Sequence, residues 1–201
     1  MSSNSNENSK FTAPTHKSQR GAIVWFTGLS GAGKSTLSRA LRDRLIALGR
    51  PAYILDGDVI RTGLCSDLGY TLQDRSENVR RVGEVAKLMA DAGIVAVVAL
   101  ISPIRAERDR VRHSMKSGVF IEVFANASLE TCEKRDVKGL YARARANEVA
   151  NFTGISSPYE PPINPEIDLR TDQYNCQECI DRLLAEMARL LTGTAPDVHG
   201  L

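Results

Sequence analysis

The chain has 201 residues, of which 42% are hydrophobic and 25% are charged, and its formal net charge is +2. A chain of this length can bury one sizeable core, but it is too short for two large domains. The composition is that of a soluble globular protein. The nearly balanced charge does not indicate a nucleic-acid binder or a polybasic membrane protein.

The two ends of the chain are predicted to lie outside the folded domain. Residues 1–15 are polar, rich in Ser and Asn, and without the apolar stretch of a secretory signal, so we expect a disordered tail there. We expect one domain over residues 16–193 and a short tail over 194–201. No apolar run reaches the roughly 18–20 residues of a membrane span, and we expect a cytoplasmic protein.

Two of the four cysteines, Cys176 and Cys179, form a C-x-x-C pair. No second pair of metal ligands stands at zinc-site spacing, and both cysteines fall in the pattern of the final helix. We therefore interpret the cysteines as reduced structural residues.

Predicted strands and helices alternate along the chain. Residues 22–27 form a short apolar run with β-branched and aromatic side chains, which is typical of a buried strand. Leucines at helical spacing follow, and Gly49 ends that helix. The later elements are predicted as a strand at 51–55, a helix at 77–92, a strand at 94–101, a helix opened by Ser102 as N-cap and by Pro103, a strand at 119–125, a helix at about 130–147, a loop at 152–165, a strand at 166–169 and a helix at 176–191.

This alternation predicts an α/β protein with a mostly parallel central sheet and helices on both faces. Ligands bind such sheets at the carboxyl ends of the strands. Three polar features directly follow predicted strands: the glycine-rich turn at 28–35, Asp56-Gly57-Asp58, and Ser102-Pro103. We therefore expect them to form one site.

The turn after the first strand, GLSGAGKS, matches the phosphate-binding pattern G-x-x-x-x-G-K-[ST] in full. Its glycines let backbone N–H groups wrap a phosphate, and the following helix N-terminus adds partial positive charge. In this motif Lys34 contacts the β- and γ-phosphates of ATP, and the Ser35 hydroxyl binds Mg²⁺. The predicted ATP-binding residues are Gly28, Leu29, Ser30, Gly31, Ala32, Gly33, Lys34, Ser35 and Thr36.

The position of the acidic residues favours a small-molecule kinase. No Asn-Lys-x-Asp motif is present, which argues against a GTPase, and the third strand is followed by Ser102 where a Walker B motif has an acid. Asp56 and Asp58 follow the second strand instead, where a carboxylate can face both the metal and an acceptor hydroxyl that must lose a proton. Alternatively, Asp56 merely caps the following turn and Asp58 lies in solvent. We expect that of one of them, not of both.

The stretch from Asp56 to Asp91 is dense with polar groups. Arg61 and Arg75 flank residues without a regular helical pattern, which makes both arginines candidates for binding an anion. Tyr70 lies between them and could stack on a base, although an ordinary core or surface tyrosine would explain it as well.

Together and in this order, these motifs resemble the adenylylsulfate kinase family over about residues 16–171. The resemblance implies a P-loop kinase fold with a lid at about 132–165, commonly dimeric. It also implies transfer of the ATP γ-phosphate, with Mg²⁺, to the 3′-hydroxyl of adenosine 5′-phosphosulfate in sulfate assimilation. The segments that carry it are GLSGAGKST at 28–36, DGDVIR at 56–61, DLGY at 67–70, DRSENVRR at 74–81, ISP at 101–103, RDVKGLY at 135–141 and FTGI at 152–155.

The resemblance also implies roles for individual residues. Asp56 corresponds to a carboxylate near the acceptor hydroxyl, acting as a base or as a partner of the metal, directly or through water. Ser102 matches a serine treated as a phosphorylated intermediate in some bacterial members, but in-line transfer needs no covalent relay, so we favour a capping, substrate-contacting serine. The implied acceptor-binding residues are Asp58, Arg61, Tyr70, Arg75, Asn78, Ile101, Ser102, Lys138, Gly139, Leu140 and Phe152, with Tyr70 and Phe152 sandwiching the adenine.

Three positions depart from the family pattern. Val59 replaces a usual Asn beside Asp58, Tyr70 replaces a usual Phe, and Asn147 replaces a frequent Gly of the lid. Two other functions stay open: a kinase for a nucleoside monophosphate or a sugar acid, and a nucleotide-binding regulatory subunit without turnover. Association with an ATP sulfurylase that makes the substrate is open as well.

Overall fold

A computed structural model describes residues 21–115 and 119–192, so the predicted tails at 1–15 and 194–201 lie outside the described residues. Five parallel strands form one sheet in the order β2-β3-β1-β4-β5, which confirms the predicted α/β architecture. The strands are β1 (Ala22–Thr27), β2 (Ala52–Asp56), β3 (Val95–Ala99), β4 (Val119–Asn126) and β5 (Ile167–Arg170). The helices are α1 (Lys34–Ala47), α2 (Gly57–Ile60), α3 (Leu72–Asp91), α4 (Arg105–Ser114), α5 (Leu129–Arg135), α6 (Leu140–Arg145) and α7 (Cys176–Thr192).

The central strand β1 is buried on both faces, because successive side chains of a strand point to opposite sides. Val24 and Phe26 join the apolar cluster formed with α1 and α7. Ile23 and Trp25 join the cluster formed with α3 and α4 on the other face. A strand covered by helices on both sides needs a continuous apolar sequence, which is why the run at 22–27 is uninterrupted.

The register of the sheet brings the carboxyl ends of three strands to one level. Phe26 on β1 and Asp56 on β2 both pair with Ala99 at the end of β3. The segments that follow these strands therefore leave the sheet side by side. These are the glycine-rich turn, the turn after Asp56, and the segment containing Ser102.

Helix α3 begins earlier than the predicted start at residue 77. Thr71 is its N-cap: the Thr71 hydroxyl accepts from the Asp74 N–H at 3.1 Å, and Asp74 Oδ2 accepts from the Thr71 N–H at 3.2 Å. This reciprocal capping box satisfies two backbone donors at the helix end. Arg75 therefore lies in the first turn of a regular helix, and the expectation of an irregular stretch up to Arg75 was wrong.

The single helix predicted at about 130–147 is two helices, α5 and α6. Asp136 has a φ of 19° and Gly139 a φ of 63°, so the backbone cannot continue helically between them. The Asp136 carboxylate then accepts from the N–H groups of Tyr141 (2.9 Å) and Ala142 (3.0 Å) and caps α6. Because this stretch is densely charged, its hydrophobic periodicity did not indicate the break between the two helices.

The prediction that Ser102 caps a helix was also wrong. Helix α4 begins at Arg105, and its N-cap, Ile104, has no capping side chain. The Glu160 carboxylate accepts from the Arg105 N–H at 2.8 Å instead. Ser102 lies before it with a φ of 40°, a conformation uncommon for a residue other than glycine. Among the described residues the four cysteines are free thiols, three of them buried. No helix in residues 21–115 or 119–192 is both long enough and apolar enough to cross a bilayer.

Candidate active site

The glycine-rich turn connects β1 to the N-terminus of α1. Gly28 has a φ of 145°, and a Cβ there would lie 2.6 Å from the Ala125 carbonyl oxygen, so only glycine fits against β4. Gly31, with a φ of 75°, passes close to α5: a Cβ would lie 3.0 Å from the Cys132 carbonyl oxygen. The first N–H groups of α1 have no partner within the helix, and with the loop N–H groups they form an anion-binding end.

Lys34 lies under this loop and is buried. Its ammonium donates to the carbonyl oxygens of Gly28 at 2.8 Å and Leu29 at 2.7 Å. Burial, with a smaller contribution from the charge of Lys138, lowers the pKa of Lys34 to about 8, against the opposing effects of Cys132, Asp56 and Asp58. A buried cation gains most from an anion beside it, because the anion offsets its desolvation. The lysine is thus held where a phosphate would stabilise it.

Asp56 links the end of β2 to the phosphate loop. Its Oδ2 accepts from the Ser35 hydroxyl at 2.9 Å, and its Oδ1 accepts from the Asp58 N–H at 2.9 Å, capping α2. Asp56 therefore caps the turn and also reaches the loop. Asp58 is exposed and forms an ion pair with Lys138 from the segment between α5 and α6. The two carboxylates of the predicted pair thus face different partners.

Tyr70 lies between two guanidinium groups. The Arg61 guanidinium carbon is 4.4 Å from the centre of the Tyr70 ring, and that of Arg75 is 5.6 Å away. Burial lowers the pKa of Arg75, and the nearby Arg61 charge adds to the effect. Tyr70 nevertheless stays 58% exposed as a residue. Two adjacent cations around an open aromatic face are suited to an anionic, ring-containing ligand.

Arg75 connects the segments that carry the two predicted stacking aromatics. Its Nε donates to the Tyr70 carbonyl at 3.1 Å and its Nη2 to the Asn151 carbonyl at 3.0 Å. Phe152, next in the chain, is only 7% exposed and packs edge-on against Tyr141, with ring centres 4.9 Å apart. Tyr70 is open and Phe152 is packed, so a sandwich formed by both rings stays a prediction. A cleft of about 570 Å³, lined by Leu29 and residues 154–159, opens beside this segment.

Asn78 and Ser102 present polar groups from buried positions. Asn78 is 5% exposed, and its Nδ2 has no hydrogen-bond partner among the described residues, an arrangement that costs free energy unless a ligand atom accepts from it. The Ser102 hydroxyl accepts from Trp25 Nε1 at 3.1 Å, which leaves its own proton available for donation. The carbonyl of Ile101 accepts from the Thr27 hydroxyl at 2.8 Å, which fixes the adjoining backbone.

A buried ion pair beneath Ser102 has no signal in the sequence. Arg108 is 1% exposed; it donates to Glu122 Oε1 at 2.6 Å, to the Ser102 carbonyl at 2.7 Å and to the Glu160 carbonyl at 2.9 Å. These contacts join α4, β4 and two loops and hold Ser102 in its positive-φ conformation. In the sequence Arg108 is one of several charged residues on a short helix.

Glu122→Gln is expected to destabilise the fold by about 3–5 kcal/mol, because removing one partner leaves the Arg108 charge buried without compensation. Urea unfolding measures the loss. Glu130→Gln is the matched control: Glu130 pairs with Lys134 at the surface with 77% of its side chain exposed, so its loss should be small beside that of Glu122→Gln. Equal losses of stability from the two substitutions would contradict the claim that Glu122 compensates the buried charge of Arg108.

The predicted lid residues lie at the start of α6. Lys138 pairs with Asp58, Gly139 is the left-handed N-cap of α6, and Leu140 joins an apolar cluster that includes Phe152. Asn147, in place of a frequent Gly, has a φ of 59°, a left-handed conformation that Asn tolerates better than most residues. The substitution is therefore compatible with the turn.

Residues 20–170 match the family model described as Adenylylsulphate kinase. The chain belongs to the adenylylsulfate kinase family. A family relative, the adenylyl-sulfate kinase of Vibrio parahaemolyticus, is 60% identical over 171 residues, which are 85% of this chain and 83% of the relative.

Solved structures agree with this family assignment. The Mycobacterium tuberculosis APS kinase in complex with AMPPNP and APS has a TM-score of 0.81 and 45% identity, covering 84% of this chain and 98% of that one. A gluconokinase from Sinorhizobium meliloti has a TM-score of 0.56 and 21% identity, covering 90% of this chain and 99% of that one. The likeness to this sugar-acid kinase shows the P-loop kinase fold alone. The adenylylsulfate kinase relatives therefore favour the family reaction over the open alternatives.

Proposed function

We propose that this chain transfers the γ-phosphate of ATP to the 3′-hydroxyl of adenosine 5′-phosphosulfate, giving 3′-phosphoadenylylsulfate for sulfate assimilation. The observation that carries the proposal is the joining of two kinds of site at one sheet edge. A phosphate loop is linked through Ser35 and Asp56 to the segment bearing Arg61, Tyr70 and Arg75.

In the donor half, residues 28–36 hold the phosphates of ATP. Backbone N–H groups of the loop and of the first turn of α1 bind the phosphate oxygens, because they are the unpaired donors of a helix N-terminus. Lys34 supplies the positive charge nearest to the transferring group. Its place beneath the loop, bound to two loop carbonyls, supports this role.

The residues around Ser35 fit a magnesium ion. A hydroxyl oxygen and a carboxylate oxygen lie 2.9 Å apart there, and Mg²⁺ prefers such oxygen ligands together with water and phosphate oxygens. We assign Ser35 as a ligand and Asp56 as a second one, direct or through water. When bound, Mg²⁺ neutralises charge on the β- and γ-phosphates.

In the acceptor half, Arg61 and Arg75 bind the anionic phosphosulfate, and Asn78 donates its unpaired amide to the same ligand. Tyr70 and Phe152 contact the adenine. Ile101, Ser102 and Asp58, with Lys138, Gly139 and Leu140 of the lid, surround the rest of the acceptor. The exposed Asp58–Lys138 ion pair supports a lid at 132–165 that touches the other side of the site when closed.

Asp56 is the residue proposed to act on the acceptor hydroxyl. The reaction breaks the bond between the γ-phosphorus and the bridging oxygen, forms one between phosphorus and the 3′-oxygen, and releases the hydroxyl proton. Asp56 orients the hydroxyl and accepts that proton, while the Ser102 hydroxyl donates a hydrogen bond to the substrate. A phosphorylated Ser102 is not needed, since the oxygen of a bound acceptor can attack in line.

Tyr70→Leu is expected to raise the KM for adenylylsulfate by roughly 5- to 150-fold, the equivalent of about 1–3 kcal/mol of base stacking. The KM for ATP should change by less than about twofold, because Tyr70 lies outside the phosphate loop. Steady-state kinetics with each substrate varied in turn measure both constants, and Tyr70→Phe is the control that keeps the ring. Tyr70 suits this test better than Phe152, whose packing against Tyr141 makes truncation destabilising. A parallel rise in both KM values would contradict the placement.

An acceptor panel tests the proposed specificity. ADP release is followed with ATP, Mg²⁺ and either adenylylsulfate, AMP or gluconate as acceptor. We expect turnover with adenylylsulfate and none above background with the other two. Turnover with AMP or gluconate alone would favour the other small-molecule kinases, and no turnover with any acceptor would favour a regulatory subunit.

We further propose a cytoplasmic homodimer that acts on small molecules and binds neither nucleic acid nor membrane. The resemblance to the family supports the dimer, and light scattering of the purified chain tests it through the molar mass. Association with an ATP sulfurylase can be tested by co-elution, and a sulfurylase that elutes separately would contradict it.

A further inference from the structure

Five consecutive carbonyl groups of the phosphate loop, those of residues 28–32, accept hydrogen bonds from side chains. Lys34 binds the carbonyls of Gly28 and Leu29 from beneath the loop. The next three carbonyls accept from side chains of α5, of α6 and of the turn after β5. The Ser30 carbonyl accepts from the Tyr141 hydroxyl at 2.9 Å, that of Gly31 from Arg135 Nη1 at 3.1 Å, and that of Ala32 from the Thr171 hydroxyl at 2.9 Å.

Holding the carbonyls fixes the direction of the loop's N–H groups. A peptide group is planar and trans, so its carbonyl and its N–H point in opposite directions. A donor bound to the Ser30 carbonyl thereby orients the N–H of Gly31 in the same peptide. Donors that are oriented before the reaction stabilise developing charge without the cost of reorganisation.

Tyr141 differs from the other supports, including Arg135 of the same lid segment, because it adjoins the lid residues predicted to contact the acceptor. It is the second residue of α6, directly after Lys138, Gly139 and Leu140. Its backbone N–H binds Asp136, and its ring packs edge-on against Phe152. The residue is 2% exposed, and burial raises the pKa of its hydroxyl, which therefore stays a donor at neutral pH. Thr171 follows β5, outside the lid. Its hydroxyl donates to the Ala32 carbonyl of the loop and approaches the Asn126 carbonyl at 3.5 Å.

We propose that Tyr141 is a positioning residue that aligns the phosphate loop through the Ser30 carbonyl and couples that alignment to occupation of the acceptor site. The proposal rests on the proposed function, because its two ends are the donor loop and the acceptor-contacting lid. Acceptor binding orders Lys138–Leu140 and thereby holds the start of α6 in place. The Tyr141 hydroxyl, which lies at the start of α6, then holds the Ser30 carbonyl. The loop then presents its N–H groups to the transferring phosphoryl group in a fixed direction.

Tyr141→Phe and Thr171→Val separate coupling from simple support. Each variant removes one hydroxyl donor from the loop and preserves the shape of the side chain. One neutral hydrogen bond accounts for roughly 3- to 10-fold in an equilibrium or rate constant, and we expect kcat to fall by about that factor in both. The distinguishing quantity is the ratio of AMPPNP dissociation constants measured by calorimetry without and with saturating adenylylsulfate.

In the wild type, the AMPPNP dissociation constant measured without adenylylsulfate should exceed the one measured with it, so their ratio should exceed one. It should fall towards one in Tyr141→Phe and keep its wild-type value in Thr171→Val. Wild-type kcat and ratio in Tyr141→Phe would overturn the proposal even if its Tm fell, since Tyr141 would then be purely structural. Equal ratios in both variants would overturn the coupling. Failure of the proposed function is a separate outcome, since the wild-type enzyme would then form no 3′-phosphoadenylylsulfate while AMPPNP binding could still be measured.

Discussion

Lys34→Ala is expected to lower kcat by roughly 10²–10³, the usual effect of removing one preorganised electrostatic contact from a transition state. The ammonium is buried beneath the loop and bound to the carbonyls of Gly28 and Leu29. Its loss removes both the charge nearest the transferring phosphoryl group and a support of the loop. Turnover at saturating ATP and adenylylsulfate measures the effect.

Lys87→Ala is the matched control for this substitution. Lys87 lies on α3, where it pairs with Glu84 at the surface, and we expect wild-type kcat from it. Circular dichroism and the Tm establish that Lys34→Ala is folded. If folded Lys34→Ala kept turnover within about threefold of the wild type, the assignment of residues 28–36 to ATP would be wrong.

Asp56→Asn is expected to lower kcat by about 10²–10⁴, the range of general acid–base assistance. The substitution keeps the shape of the side chain and removes its charge. A carboxylate is a modest base near neutral pH, so part of this factor reflects orientation of the hydroxyl and of the metal. Because Asp56 accepts from Ser35, nucleotide binding should be measured with and without Mg²⁺. Binding without Mg²⁺ should persist, since the loop is unchanged.

Asp58→Asn is the comparison that assigns the two carboxylates. Asp58 is exposed and pairs with Lys138 rather than with the phosphate loop, so its substitution should be milder. Single-turnover phosphoryl transfer with saturating adenylylsulfate measures both variants. An inactive Asp58→Asn beside an active Asp56→Asn would exchange the two roles. Activity in both would leave catalysis to positioning and Mg²⁺ alone.

The elements predicted correctly from the sequence are those specified by local patterns. Strand β1 has the predicted bounds because an apolar run followed by glycines needs no distant information. The phosphate loop was found because its glycines and Lys34 stand at a fixed spacing. The start of α3 was missed because its capping box uses Asp74, where Glu or Gln is the more common partner.

Distant contacts explain what the sequence did not predict. A Ser-Pro pair favours a helix start locally, but Trp25 and Arg108 hold Ser102 in a different conformation. The break before α6 depends on the Asp136 carboxylate turning back to cap it. The contact between Tyr141 and Ser30 joins residues 111 positions apart, and no local pattern encodes such a pair. Local motifs thus indicate candidate ligand-binding residues, whereas the distant residues that position them have no such signal.

The central claim is that one site joins the phosphate of ATP to the 3′-oxygen of adenylylsulfate. The most direct test is to incubate the purified protein with Mg²⁺, adenylylsulfate and ATP labelled at the γ-phosphate, and to identify the labelled product by chromatography and mass spectrometry. We expect label in 3′-phosphoadenylylsulfate, at the 3′-position, in amounts equal to the ADP released. ADP release without labelled 3′-phosphoadenylylsulfate, or label on another acceptor, would contradict it.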